Sequence, residues 1–182
     1  VSRLENIISV KIKEIQSLSL GLSEELTAKD KQTLVRIKLL TGFCKRMGML
    51  MLSGEQEDFI KTQALGLLLY EEAVDAAVAQ ISCSVYYADT GKIKAENAAE
   101  LYAFFNRCIM LFTEFKETDV FCRLMPEGDK LTLVLIAELP EKQRFEEFAA
   151  AEKENFKNIE ISVSFEEKSG IIRVTAGGFS ND

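Results

Sequence analysis

The chain has 182 residues, 47% of them hydrophobic, with only two prolines and ten glycines. That suffices for one domain or two small ones around a packed core, and excludes a low-complexity or disordered segment. Twenty-nine acidic against 22 basic residues give a net charge of −7, a poor match to nucleic acid or to an anionic membrane surface.

Histidine is absent altogether. This excludes Ser-His-Asp and Cys-His catalysis, zinc-histidine sites and phosphohistidine relays. Cys44, Cys83, Cys108 and Cys122 are widely spaced with no CxxC pair, and read as free thiols of a reducing compartment rather than a zinc site. No apolar run approaches the roughly 20 residues that span a bilayer, and no signal-peptide pattern appears. The first residue is Val1 rather than Met, which predicts a piece of something longer.

In chain order, residues 3–23 predict a helix, with Leu4, Ile8, Ile15, Leu18 and Leu22 at heptad-like spacing interrupted by Lys11. Thr27 to Asp30 reads as a capping signal for a second helix over 31–52. Its apolar positions are Leu34, Ile37, Leu40, Phe43, Cys44, Met47, Leu50 and Met51. Two helices with a short polar connection predict an antiparallel hairpin. Its uncovered apolar face predicts a homodimer through a four-helix bundle. The expected seam is Leu4, Ile8, Ile15, Leu18 and Leu22 with Phe43, Met47 and Leu50.

Ser53 and Gln56 read as a capping box opening a third helix, with Ile60, Ala64, Leu67, Leu68, Val74 and Val78 inward, ending near residue 79. A strand over 81–87, a turn at Asp89-Thr90-Gly91 and a helix from Glu96 follow. Within that helix Leu101, Phe104, Phe105, Cys108, Ile109 and Phe112 share one apolar face. Strands over 119–125 and 130–138 flank Pro126 to Asp129. A charged helix over 142–157 turns Phe145, Phe148, Ala149 and Phe156 to its apolar side. Strands over 159–166 and 171–177 flank Lys168-Ser169-Gly170. Gly177-Gly178 ends the last strand, since no helix follows to make it a phosphate loop.

The predicted fold class is α+β: a helical dimerisation hairpin over 1–54, then a two-layer α/β sandwich over 55–182 with a five-stranded mixed sheet and three helices. The acid pairs Glu71-Glu72, Glu146-Glu147 and Glu166-Glu167 read as solvated faces, because adjacent residues diverge and form no carboxylate dyad.

The stretch LYAFFNRCIMLFTEF, Leu101 to Phe115, resembles the N-box helix of sensor histidine kinases, which runs roughly L-Y-x-I-V-x-E-A-L-x-N-A. The element order from residue 58, α-β-α-β-β-α-β-β, resembles the gyrase/histidine-kinase ATPase arrangement. Ile12-Lys13-Glu14 resembles a worn I-H-D phosphoacceptor motif with lysine in place of histidine. Cys44 to Leu52 resembles a K-R-x-x-N-L-L-L-like stretch with Met49 at its asparagine.

The resemblance also implies where this chain departs from the family. The family's Glu falls on Arg107 and its magnesium-binding Asn on Leu111, which has no oxygen to offer a hard cation. The adenine-reading D-x-G-x-G run falls on Ala137-Glu138-Leu139-Pro140, which has no glycine. No glycine lies between Gly128 and Gly170 to build a phosphate-binding lid. Arg107 reads as an arginine at the edge of an apolar stripe pairing with a carboxylate, against the alternative of a cation aimed at an anionic ligand.

The resemblance and its departures predict a degenerate nucleotide site at Arg107, Leu111, Ala137 and Glu138, with no cofactor, no metal and no kinase activity. They imply an inactive histidine-kinase-like signalling module acting as a dimer in a bacterial two-component-type system. A response regulator or a kinase is the further partner. The expected location is the cytoplasm, with membrane attachment only through a sensor region outside this chain. Two readings stand beside it: a regulator-sequestering protein-binding domain unrelated to ATP chemistry, and an active kinase fragment whose motifs lie elsewhere.

Overall fold

The computed structural model describes residues 3–22, 27–115, 118–138 and 142–181. The Leu4 side chain and residues Leu139 and Pro140 lie outside the described residues. Helix α1 (Arg3–Leu20) and helix α2 (Ala28–Gln56) form the expected hairpin. The Thr27 hydroxyl accepts from the Asp30 N–H at 3.2 Å, and the Asp30 carboxylate accepts from the Thr27 N–H at 2.8 Å, a complete capping box. Glu14 joins the two helices, accepting from Lys11 and, at 3.0 Å, from Arg36 Nε.

At its far end α2 runs past the expected break. The Ser53 hydroxyl donates back to the Met49 carbonyl at 3.0 Å instead of capping a new helix, and the Glu57 N–H closes on the Ser53 carbonyl at 2.9 Å. A short strand β1 (Phe59–Lys61) intervenes, and helix α3 starts only at Thr62, running to Ala76. Its buried face is Leu65, Gly66, Leu68, Leu69, Glu72, Ala73 and Ala76. The expected inward set is thus corrected: Leu68 faces inward and Ile60 is buried in β1, while Ala64, Leu67, Val74 and Val78 are exposed. Leucines run through 65 and 67–69, so periodicity alone does not choose a face, and packing on the next strand does. Gly66 is the contact point, since a Cβ there would overlap the Tyr87 ring.

After a single 3-10 turn at 77–79 come β2 (Ile81–Tyr87), β3 (Lys92–Lys94) and the central helix α4 (Ala95–Phe112). Then follow β4 (Thr118–Glu127), β5 (Lys130–Glu138), α5 (Lys142–Asn155), β6 (Ile159–Glu166), β7 (Ser169–Ala176) and β8 (Phe179–Ser180). The five-stranded sheet has the order β2-β4-β5-β7-β6, with β2 and β4 parallel and the other neighbours antiparallel. Alternation sets which side chains face the helices: Val120, Cys122 and Leu124 on β4 meet Leu131, Leu133, Leu135 and Ala137 on β5 and Ile172, Val174 and Ala176 on β7. The opposite face, with Tyr86 and Phe121, is open. β1, β3 and β8 form a second, three-stranded sheet that the sequence reading did not contain. It secures the starts of α3 and α4, and its strand β8 follows Gly177-Gly178, so that dipeptide joins β7 to β8 instead of ending the last strand.

Helix α4 is buried along most of its length because it lies between the sheet and α2. All six apolar positions read for it, Leu101, Phe104, Phe105, Cys108, Ile109 and Phe112, are fully enclosed, each large side chain contributing about 1.5–3 kcal/mol of burial. The α2 side of that contact corrects the expected seam. Phe43, Met47 and Leu50 are 1%, 0% and 3% exposed within a single chain, and Phe43 stacks on Tyr102 at 5.5 Å. The face that needed a cover is covered by α4. Ile8, Ile15, Leu18 and Leu22 are half-buried.

Candidate functional site

The four positions of the expected nucleotide site lie in two places, Arg107 and Leu111 one turn apart on α4 and Ala137 and Glu138 at the end of β5. Leu111 is buried, and Ala137 faces the helix layer from β5. Glu138 is exposed at the end of β5, in a depression of the open sheet face with Ser82, Ser84 and Asp119. Arg107 donates from Nε to Glu152 Oε1 of α5 at 2.9 Å, and Glu152 is 2% exposed. This is the carboxylate-paired arginine the sequence favoured. Around it α5 is pressed onto α4 by aromatic contacts: Phe104 with Phe148 at 6.1 Å and Phe156 at 5.7 Å, and Phe112 with Phe145 at 6.1 Å.

Mg-ATP is the ligand that the resemblance implies, with Leu111 matched to the family's magnesium-binding Asn, and the Leu111 side chain carries no oxygen for a hard cation. Among the described residues no group of three or more Cys, Asp or Glu side chains could hold a metal ion.

A second constellation, which the sequence reading missed, lies where α2, α3 and α4 meet. Arg46 of α2 is 4% exposed. Its Nε donates to the Tyr102 hydroxyl oxygen at 2.8 Å and its Nη1 to Asp75 Oδ2 at 2.8 Å. Its Nη2 is 3.9 Å from Glu72 Oε2, and neither atom has a hydrogen-bond partner among the described residues. The other Glu72 oxygen accepts from Asn106 Nδ2 at 2.5 Å. Lys38 reaches Asp75 from the surface at 3.5 Å. Gly42 makes room for the node, since a Cβ there would lie 2.7 Å from Arg46 Nη2 and 2.9 Å from Asp75 Oδ2.

Glu72 is fully buried, which corrects its reading as part of a solvated pair; Glu71 beside it is exposed. Burial pushes the Glu72 carboxyl up to about 7, against the opposing pull of Tyr102, Asn106 and Arg46. Burial also pushes the Cys83 thiol up to about 12, with Glu72 adding to it, and holds Cys108 and Cys122 well above the usual thiol range. These cysteines are free thiols and poor nucleophiles. The node joins the hairpin to the sandwich through a buried charge cluster, so the relative position of the two parts is set by hydrogen bonds as well as by apolar contact. Two sequence signals mark it: an arginine inside the Phe43-Met47-Leu50 stripe, and a glutamate on the Leu68-Leu69-Ala76 face.

No protein-family model and no curated protein sequence matches the chain. Solved structures do. The histidine kinase domain of a blue-light activated histidine kinase from Erythrobacter litoralis superposes with a TM-score of 0.61 at 13% identity, over 97% of this chain and 86% of that one. The histidine kinase ThkA, solved in complex with the response regulator protein TrrA, gives 0.54 at 9% identity over 97% of this chain and 60% of its own. A structure described as a bacterial phosphotransferase gives 0.52 at 12% identity, over 94% and 91%. The likeness therefore covers hairpin and sandwich together, and the chain has the fold of a histidine-kinase dimerisation and catalytic region.

Proposed function

We propose that this chain is a catalytically inactive, histidine-kinase-like signalling module of a two-component-type system, with residues 1–54 as its hairpin and 55–182 as its ATPase-like sandwich. One observation carries the reading: a histidine-kinase fold in a chain that contains no histidine. Phosphoryl relay through an imidazole has no acceptor here. The buried Leu111 and the Arg107–Glu152 pair support a nucleotide site that no longer functions. The module works without a cofactor, in the cytoplasm, with a response regulator or a kinase as partner.

Calorimetry and thermal denaturation with millimolar Mg-ATP test this. The expected result is no heat and no change in melting temperature, whereas ligand at 100 times its Kd stabilises by about 2.7 kcal/mol. A magnesium-dependent shift overturns the reading. Leu111→Asn alone leaves binding absent, because adenine and phosphate contacts are still missing.

The same module is proposed to act as a homodimer through its hairpin. With Phe43, Met47 and Leu50 inside the core, the exposed large apolar residues of α1 among those described are Val10, Ile12 and Leu20, beside the half-buried Ile8, Ile15 and Leu18. Light scattering is expected to give a dimer that Ile12→Asp dissociates, since burying an unpaired carboxylate costs several kcal/mol. A monomer at high micromolar concentration and low salt removes the dimer from the proposal.

A further inference from the structure

Helix α2 carries six basic and two acidic residues in a chain whose net charge is −7. Arg46 is buried in the node and Arg36 is held by Glu14. Lys31, Lys38 and Lys45 recur at heptad spacing, with Leu52 at the next step, and all four are exposed, Lys38 leaning on Asp75 at 3.5 Å and Lys31 and Lys45 outside any ion pair shown here. Leu34 and Thr41 lie between them on the same exposed side, and Met49 continues it. The Thr41 hydroxyl donates back to the Ile37 carbonyl at 2.8 Å, so its proton is already engaged within the helix. The stripe therefore alternates ammonium groups with apolar or hydrogen-bonded side chains. It runs into a groove of about 380 Å³ between the end of α2 and α3, whose floor is apolar (Leu50, Ile60 and Leu68) and whose edge carries Lys61 with Glu57 and Glu71, so the groove takes the apolar edge of a partner and the lysines its acids. Leu67 is 47% and Met49 52% exposed at its rim.

We propose that this outward face of α2, with the α2–α3 groove at its end, is a docking surface for an acidic amphipathic helix of a partner protein. The spacing selects a helix: heptad-placed lysines match glutamates at the same spacing on a helix laid alongside, and Leu34, Met49, Leu52 and Leu67 receive its apolar edge. From Lys31 to Leu52 the face is about 31 Å long at 1.5 Å per residue, room for a partner helix of about 20 residues. Charge excludes a second copy packed isologously on this face, because lysine stripe would meet lysine stripe. It also disfavours an anionic membrane, since the rest of the chain is strongly acidic and one line of lysines is too narrow to offset it.

The probe is a fluorescent peptide of about three heptads with leucine at a and d and glutamate at e and g, kept monomeric by its own charge. Its lysine counterpart and phosphatidylserine vesicles are the controls. Anisotropy is expected to show binding of the glutamate peptide with Kd on the order of micromolar, weakening as salt rises from about 0.05 to 0.5 M. Lys31→Glu with Lys45→Glu, both exposed and outside any ion pair shown here, is expected to weaken it by about tenfold or more and to favour the lysine peptide. Leu67→Asp weakens it through the groove. Melting curves check that each variant folds. Equal binding of both peptides, or unchanged binding by the double lysine variant, overturns the proposal. So does binding to vesicles without binding to the peptide, or a dimer that the lysine variant dissociates.

Discussion

Replacing Arg46 by methionine is expected to lower the unfolding free energy at pH 8 by about 3–5 kcal/mol, read from urea denaturation. The guanidinium is 4% exposed and serves three neighbours on two other helices: Tyr102, Asp75 and Glu72. Methionine fills much of the volume but leaves Glu72, fully buried, with the neutral groups Asn106 and Tyr102 in place of a cation. An isolated buried carboxylate is the costly outcome, more than the loss of any one bond. The double variant Arg46→Met with Glu72→Gln is therefore expected to recover most of the loss, because no uncompensated charge remains. If the single variant costs under about 1 kcal/mol, the node is a solvated surface cluster and the argument from burial fails.

That node also shows where the sequence stopped being legible. Strands β2 and β4–β7 were readable because their residues alternate between a helix-facing and an open side, and α4 because its apolar face is broad. The Thr27–Asp30 cap was readable because it needs only local chemistry. The strands β1, β3 and β8 have three residues or fewer, too short for alternation to register. Periodicity on α2 marked Phe43, Met47 and Leu50 as a face needing a cover, but carries no information on whether the cover is α4 or another chain. Glu72 was read as solvated because carboxylates usually are, and its burial follows from the rotation of α3 that Gly66 permits. The departures at Arg107 and Leu111 were visible as residues. Their surroundings, the Glu152 partner and the aromatic α4–α5 contact, are tertiary and were not.

Between pH 5 and pH 8 the protein is expected to lose stability as pH rises, and Glu72→Gln is expected to abolish most of that slope. The Glu72 carboxyl is raised by burial from an ordinary value of 4.5 to about 7 in the folded chain. Above pH 4.5 the unfolded chain gives up this proton while the folded chain keeps it, so the folded state binds more protons and stability falls with pH. Each pH unit in the window removes about 1.4 kcal/mol, on the order of 3 kcal/mol in all, and the curve levels once the folded carboxylate ionises. The groups facing it are Arg46 on α2, Asp75 on α3, Tyr102 and Asn106 on α4 and, from the sheet, Cys83. Tyr102 and Cys83 are raised far above the window by burial, so neither titrates within it. Glu14, lowered by Lys11 and Arg36 against its burial, and Glu127, lowered by Thr132 and Arg173, act in the opposite sense, but below pH 4.5. Urea midpoints of both proteins at pH 5 and pH 8 decide the matter. Parallel pH dependence in the two would mean that Arg46 already holds Glu72 ionised, and would reverse the balance of burial and charge argued for the node.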